Sequence, residues 1–168
     1  MQQADNPLVR VVRTQDAGTL AEIYNYYITQ TVVTFEEDPV TASEIAHRIQ
    51  QVHTASLPWL VAEISGRPVG YAYATKWRVR PAYRFSTEVT VYVAPHHDRR
   101  GIGSALYAEL LATLRDSRVH AAMGGIALPN EASIALHEKF GFAKVAHFNQ
   151  VGFKFNRWID VGYWELLL

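Results

Sequence analysis

A chain of 168 residues, 49% of them hydrophobic, is sized for one domain that buries roughly 70% of the surface its unfolded form exposes. Sixteen basic and sixteen acidic side chains cancel and the pI is near 7.1, which removes the electrostatic footprint of a nucleic-acid binder. No apolar run is long enough to span a membrane, the first residues lack a signal-peptide pattern, and cysteine is absent; the expectation is a cytoplasmic protein that forms no acyl-cysteine intermediate.

Residues 8–12 read as a short strand. Asp16 stands where a helix cap is expected, and Leu20, Ile23, Tyr24, Tyr27 and Ile28 follow at i, i+3, i+4, i+7 and i+8. Residues 31–38 read as a loop with Phe35 as its large apolar side chain. Thr41 and Glu44 form a capping box, and the helix they open carries Ile45, Ile49 and Val52 on one face. Residues 59–64 and 69–77 are strands joined by a short turn, hence a hairpin. Residues 76–83 make a basic, aromatic loop.

The stretch that follows organises the chain. Val89, Val91 and Val93 alternate with Glu88, Thr90 and Tyr92, the period of a strand with two differently used faces. Pro95 ends the strand, because it cannot donate to a ladder. Ile102, Leu106, Leu110 and Leu114 then recur at helical spacing, with Tyr107 and Leu111 beside them. Between strand and helix lie Gly101 and Gly103. A glycine turn at a helix N-terminus gathers unpaired N–H groups and the positive end of the helix dipole, which suits a phosphate, though an ordinary tight connection would carry the same pair. A dinucleotide fingerprint would need glycine where Leu106 stands, and a P-loop would need Gly-Lys-Ser/Thr.

Residues 119–128 read as a further strand in which Gly124 and Gly125 either weaken it or mark a close approach. Asn130 caps a short helix ending at Gly141, and residues 143–148 and 160–167 close the chain as strands. The order β-α-α-β-β-β-α-β-α-β-β predicts an α/β domain, a mixed sheet of about seven strands with helices on both faces.

Three groups of residues invite chemistry. Glu88 is a carboxylate in an otherwise uncharged strand: either a solvent-facing edge residue or a general base whose pKa is raised by partial burial. His137 shares a helix face with Asn130 and Ser133, as a surface or hydrogen-bonded residue or as a proton carrier. Arg78, Arg80 and Tyr83 form either a solvated loop that balances the acidic residues 36–38 or a receptor for a doubly anionic small molecule. Phe35 and Tyr73 either wall the same pocket or belong to the plain core. None of the seven histidines sits in a metal-binding array, so no metal is expected.

Arg99-Arg-Gly-Ile-Gly-Ser104 at a strand–helix junction, with Pro129-Asn-Glu-Ala-Ser133 and Leu136-His-Glu-Lys-Phe-Gly-Phe142 downstream, resembles the GNAT N-acetyltransferases over nearly the whole chain. Thr87-Glu88-Val-Thr-Val-Tyr-Val93, the loop from Trp77 to Tyr83 and the closing run 156–164 resemble the phosphinothricin acetyltransferase branch. The resemblance implies a single GNAT domain over residues 1–168, a homodimer, and acetyl-CoA as cosubstrate. It implies acetyl transfer by direct attack to the α-amine of a small amino acid such as phosphinothricin, methionine sulfoximine or methionine sulfone, with no part for nucleic acid or membrane. Glu88 would be the base and His137 would help protonate the leaving thiolate. Tyr92, Val93, Arg99, Arg100, Gly101, Ile102, Gly103, Ser104, Asn130 and Ser133 would hold the cofactor; Phe35, Tyr73, Arg78, Arg80 and Tyr83 would hold the acceptor. Trp158 and Trp164 read mainly as packing or dimer-contact residues, with one of them a candidate neighbour of the acceptor. Asp98 departs from the family pattern, which has Gln or Arg there.

Overall fold

In a computed structural model, residues 6–97 and 100–168 are described. Eleven helices and strands follow in the predicted order: β1 (Leu8–Val11), α1 (Ala17–Gln30), α2 (Ala42–Thr54), β2 (Trp59–Ile64), β3 (Arg67–Lys76), β4 (Ser86–Val93), α3 (Ile102–Arg115), β5 (Ala121–Ala127), α4 (Glu131–Lys139), β6 (Ala143–Lys154) and β7 (Arg157–Leu167). The seven strands form one sheet in the order β1-β2-β3-β4-β5-β7-β6, antiparallel throughout except for the β4–β5 pair.

Each face of the sheet has its own core. Leu20, Ile23, Tyr24 and Ile28 of α1 and Ile45, Ile49 and Val52 of α2 pack on Trp59, Val61, Tyr71 and Tyr92. Leu106, Leu110, Leu111 and Leu114 of α3 pack on the other face against Ala72, Ala74, Val89 and Ile126, with Phe142 and Trp164. The helical and strand periods read from the sequence therefore sort these side chains onto the correct faces.

Three local expectations are corrected. Asp16 is not a simple cap: a 3-10 turn at Thr14–Asp16 precedes α1, and the carboxylate is buried. It accepts from the Arg13 N–H at 2.7 Å and takes a two-pronged bond from Arg10 at 2.8 and 2.9 Å. The closing strands are also longer than predicted, because residues 143–154 and 157–167 form one hairpin. Its turn residues Phe155 and Asn156 have φ of 50° and 57°, the left-handed pair of a type I′ turn, with no glycine to announce it. A register break between Phe148 and Gly152, with Gln150 at φ 52°, hides the alternation of β6. At α2 the capping box is half present, since Thr41 accepts from the Glu44 N–H while Glu44 binds Arg48.

Candidate active site

The parallel β4–β5 pairing covers only Ser86, Thr87 and Glu88, opposite Ala121, Ala122 and Met123. Beyond Glu88 the two strands part. On its other side β4 stays bonded to β3, and the Trp77 N–H to Ser86 O and Ala94 N–H to Val69 O bonds fix which residues make that ladder. Even-numbered residues of β4 face β3, so Val91 and Val93 turn their N–H and C=O groups toward the gap, while the Val89 N–H closes the last rung to β5 and only its C=O enters the gap. At its end the Val93 carbonyl accepts the Tyr27 phenol at 2.6 Å.

A cleft of about 540 Å³ passes through this gap, and its lining includes Arg78, Glu88, Val91, Tyr92, Tyr107, Gly125, Asn130, Ser133, His137 and Tyr163. Adjacent glycines of β5 make the room. A Cβ at Gly124 would overlap the His137 ring, while one at Gly125 would lie 3.1 Å from Glu88 Oε1 and from the Tyr163 ring. Successive strand residues face opposite ways, so Glu88 and His137 reach the cleft from opposite faces of the sheet. The glycine pair therefore marks close approach.

Burial raises the pKa of Glu88, and the nearby Arg78 guanidinium partly opposes that rise. The carboxyl sits at the last β4 residue paired to β5, where the gap opens. Tyr163 lies beside it, its phenol pKa raised by burial and by the Glu88 charge, with the Trp77 ring edge-on at 5.2 Å. Arg78 lies over Trp77 at 4.1 Å.

His137 is only 3% exposed. Its Nδ1 lies 2.7 Å from the Ser133 carbonyl oxygen, which can only accept, so Nδ1 carries the proton. Its Nε2 then accepts from the Tyr107 hydroxyl at 3.0 Å. Burial lowers the imidazole pKa, with the Ser133 bond opposing, so the ring is neutral near pH 7. In this tautomer Nε2 is a proton acceptor; of the proton-carrying roles the sequence leaves open, donation first requires a proton on that atom.

The other predicted positions divide. Asn130 caps α4 by accepting the Ser133 N–H at 3.1 Å, and both residues line the cleft. Gly101, with φ of 75°, opens α3 in the left-handed conformation, and Gly103 follows in the first turn. The N–H groups of Ile102, Gly103 and Ser104 lie in the unsatisfied first turn of the helix, while the Ile102 side chain is buried in the core. Arg100 is exposed at this end; Arg99 and Asp98 lie outside the described residues. Phe35 lines the cleft, but Tyr73 does not: it stacks on Trp59 at 4.2 Å and faces a neighbouring hollow with Arg48 and Lys76. Arg80 and Tyr83 are exposed on the loop and are not brought to the cleft with Arg78.

Sequence reasoning missed four contributors. Tyr107 was read only as part of a helix stripe and Tyr163 only as part of a closing motif. Phe148 lies in a strand whose alternation is broken. Lys139 reaches from the end of α4 to donate to Ser104 Oγ at 3.0 Å, placing a cation at the N-terminus of α3. Only the packing of α3 against α4 reveals it.

A left-handed glycine, free helix N–H groups and two cations at one end of an open strand edge fit a cofactor with a pyrophosphate and an extended amide arm. A family model for the acetyltransferase (GNAT) domain matches residues 9–162. The chain belongs to the GNAT acetyltransferase family. It is 36% identical to the phosphinothricin N-acetyltransferase of Streptomyces viridochromogenes over 94% of this chain and 85% of that one. It is 32% identical to the L-methionine sulfoximine/L-methionine sulfone acetyltransferase of Salmonella typhimurium, over 95% and 94%. The solved structure of a GNAT phosphinothricin acetyltransferase from Sinorhizobium meliloti, in complex with acetyl-CoA, superposes with a TM-score of 0.94 at 32% identity, covering 97% of this GNAT chain and 89% of that one. Among the described residues no three His, Asp or Glu side chains cluster for a metal, and no helix is long and apolar enough to cross a membrane.

Proposed function

We propose that this GNAT enzyme acetylates the α-amine of a small amino acid bearing a second oxyanion-like group, of the phosphinothricin, methionine sulfoximine or methionine sulfone type. Acetyl-CoA is the donor and supplies the acetyl group as a thioester. The observation that carries the reading is Glu88, a carboxyl with a raised pKa at the opening of the β4–β5 gap, sharing one cleft with Arg78. An ammonium must lose a proton before it can attack, and a carboxylate of raised pKa is matched to that task. Glu88 takes this proton, directly or through a water. The N–H groups of Val91 and Val93 offer donors to the thioester carbonyl, and the first turn of α3 with Arg100 and Lys139 holds the pyrophosphate. His137 Nε2 is the second basic atom in the cleft, able to accept a proton from the attacking nitrogen and return it to the departing sulfur. Arg78 receives the acceptor's carboxylate or its second anionic group.

The exposed edge strand β6, whose 12 residues are nearly all accessible, supports a homodimer built on the β6–β7 hairpin. An enzyme that draws on acetyl-CoA also fits the cytoplasm.

Glu88→Gln is expected to bind acetyl-CoA normally and to lower kcat at neutral pH by about 10²-fold or more. Because the fold disfavours the charged carboxylate, its Tm should equal that of the parent or exceed it by up to about 3 °C. An unchanged kcat would remove Glu88 from the chemistry. A thiol-release assay against phosphinothricin, methionine sulfoximine, methionine sulfone, methionine, glutamate and short peptides tests the acceptor. Turnover of peptides alone would discard the amino-acid reading and keep the acetyltransferase.

A further inference from the structure

One buried charge takes no part in this chemistry. Lys154, at the end of β6, is 2% exposed, and its ammonium donates to the Thr34 carbonyl at 2.8 Å. Burial lowers its pKa, with Glu37 and Glu36 opposing. A buried ammonium is costly, and a methionine of similar shape would pack there without that cost, so the charge calls for a local reason.

Thr34 lies in the irregular segment between α1 and α2, whose Val33, Thr34 and Phe35 line one wall of the cleft. The α1–α2 side binds that segment at several points. Tyr24 donates to Glu36 at 2.8 Å and lies 2.8 Å from the Thr34 hydroxyl, and Arg48 binds Glu36 at 2.6 and 3.1 Å. Asn25 exchanges two bonds with the Val40 backbone. From the far side of the cleft come Lys154 and Gly152, two residues apart on β6. The Phe35 ring lies so close over Gly152 that a Cβ there would overlap it.

We propose that Lys154 is a positioning residue for the acceptor. Through the Thr34 carbonyl it fixes Val33 and Phe35 against β6 and so sets the width of the acceptor side of the cleft, selecting compact amino acids over longer amines. It touches neither the acetyl donor site at α3 nor the proton path at Glu88. The proposal rests on the cleft being the acceptor site, as argued above.

The test uses Lys154→Met, Lys154→Arg and Gly152→Ala in the full chain, with steady-state kinetics on phosphinothricin and amide hydrogen exchange of residues 33–36. Lys154→Met should raise the acceptor KM by about tenfold or more, leave the acetyl-CoA KM within about twofold, and speed exchange of residues 33–36 but not of β4. Lys154→Arg, which keeps a cationic donor, should recover most of the loss. Gly152→Ala, which keeps Lys154 and displaces Phe35, should also raise the acceptor KM selectively. Equal changes in both KM values, or unchanged acceptor KM and loop exchange, would overturn the proposal. If Lys154→Met fails to fold, Lys154→Leu, which also removes the donor to Thr34, decides by the same criteria. If the parent enzyme turns over none of the amino acids, the acceptor reading fails separately, and exchange of residues 33–36 in Lys154→Met against the parent still reports whether the ammonium holds the loop: an indifferent loop overturns the hold.

Discussion

Glu88 and Arg78 act in opposite directions on one proton. Burial favours the neutral carboxyl and the Arg78 guanidinium favours the carboxylate, with burial the larger influence. As the proposed base, Glu88 is competent only when ionised, so the acidic limb of the kcat profile should lie above the ordinary carboxylate range. Arg78→Ala removes the opposing charge, which makes ionisation harder, so that limb should move to higher pH by roughly a few tenths of a unit to one unit. Arg78 is exposed, so added salt should move the parent enzyme's limb in the same direction by screening the pair. Profiles at saturating acceptor check this, because Arg78→Ala is also expected to raise the acceptor KM. A limb that stays put or moves down would show that Arg78 does not act on this carboxyl. For stability the sign is reversed. A carboxyl whose folded pKa is raised binds its proton more readily in the fold, so Glu88 subtracts stability once pH rises above its unfolded value.

At the scale of elements, β5 decides whether the cleft exists, because its two glycines leave space on both faces of the sheet. Gly124→Ala would drive a Cβ into the His137 ring, which can yield only by giving up its bonds to Ser133 and Tyr107. Overpacking of this kind costs about 1–3 kcal/mol, and a fall in Tm of roughly 3–10 °C is expected together with a loss of kcat. Gly125→Ala meets Glu88 and Tyr163 at 3.1 Å, a tighter-than-usual contact that small shifts relieve, so it should lower kcat while costing less Tm. Melting curves and kcat for the two variants test the ranking, and a Gly124→Ala protein with parental Tm would refute the account of β5. The glycines were legible in the sequence as a weakness or a close approach, but not what approaches them. Glu88 was legible because a charge stands out in an apolar strand. The burial of His137 and its bond to Tyr107 were not, because they depend on how α3 packs against α4. Lys154 meets Thr34 across 120 positions of sequence, and no local pattern records such a contact.

For the whole molecule, element order and the sorting of core residues followed from periodicity, and the largest departure in strand bounds lies at the chain's end, where the left-handed turn at Phe155 and Asn156 and the break in β6 erase the alternation. That hairpin is also where the apolar side chains remain uncovered. Val145, Phe148, Val151, Phe153, Phe155 and Trp158 are each about half exposed or more, and β6 is the free edge of a seven-stranded sheet. A long apolar edge strand invites pairing unless something covers it. Trp158 is 61% exposed and rests on Phe153 with ring centroids 4.8 Å apart, so the exposed pair offers an aromatic anchor of the kind that dominates interfaces. Trp164, by contrast, is buried against the α3 core and serves packing. A second copy of the chain is the proposed cover, and light scattering on the purified enzyme should give twice the 19.0 kDa of one chain. Trp158→Asp removes the anchor from a site with little intramolecular burial, so it should yield a folded monomer with parental far-UV circular dichroism. Phe148 and Val151 of the same hairpin line the cleft, so acceptor KM should rise as the dimer is lost. A parent protein that stays at 19.0 kDa at about 50 μM, well above the Kd of a stable dimer with a standard interface, would sink the homodimer and leave the apolar hairpin for another partner.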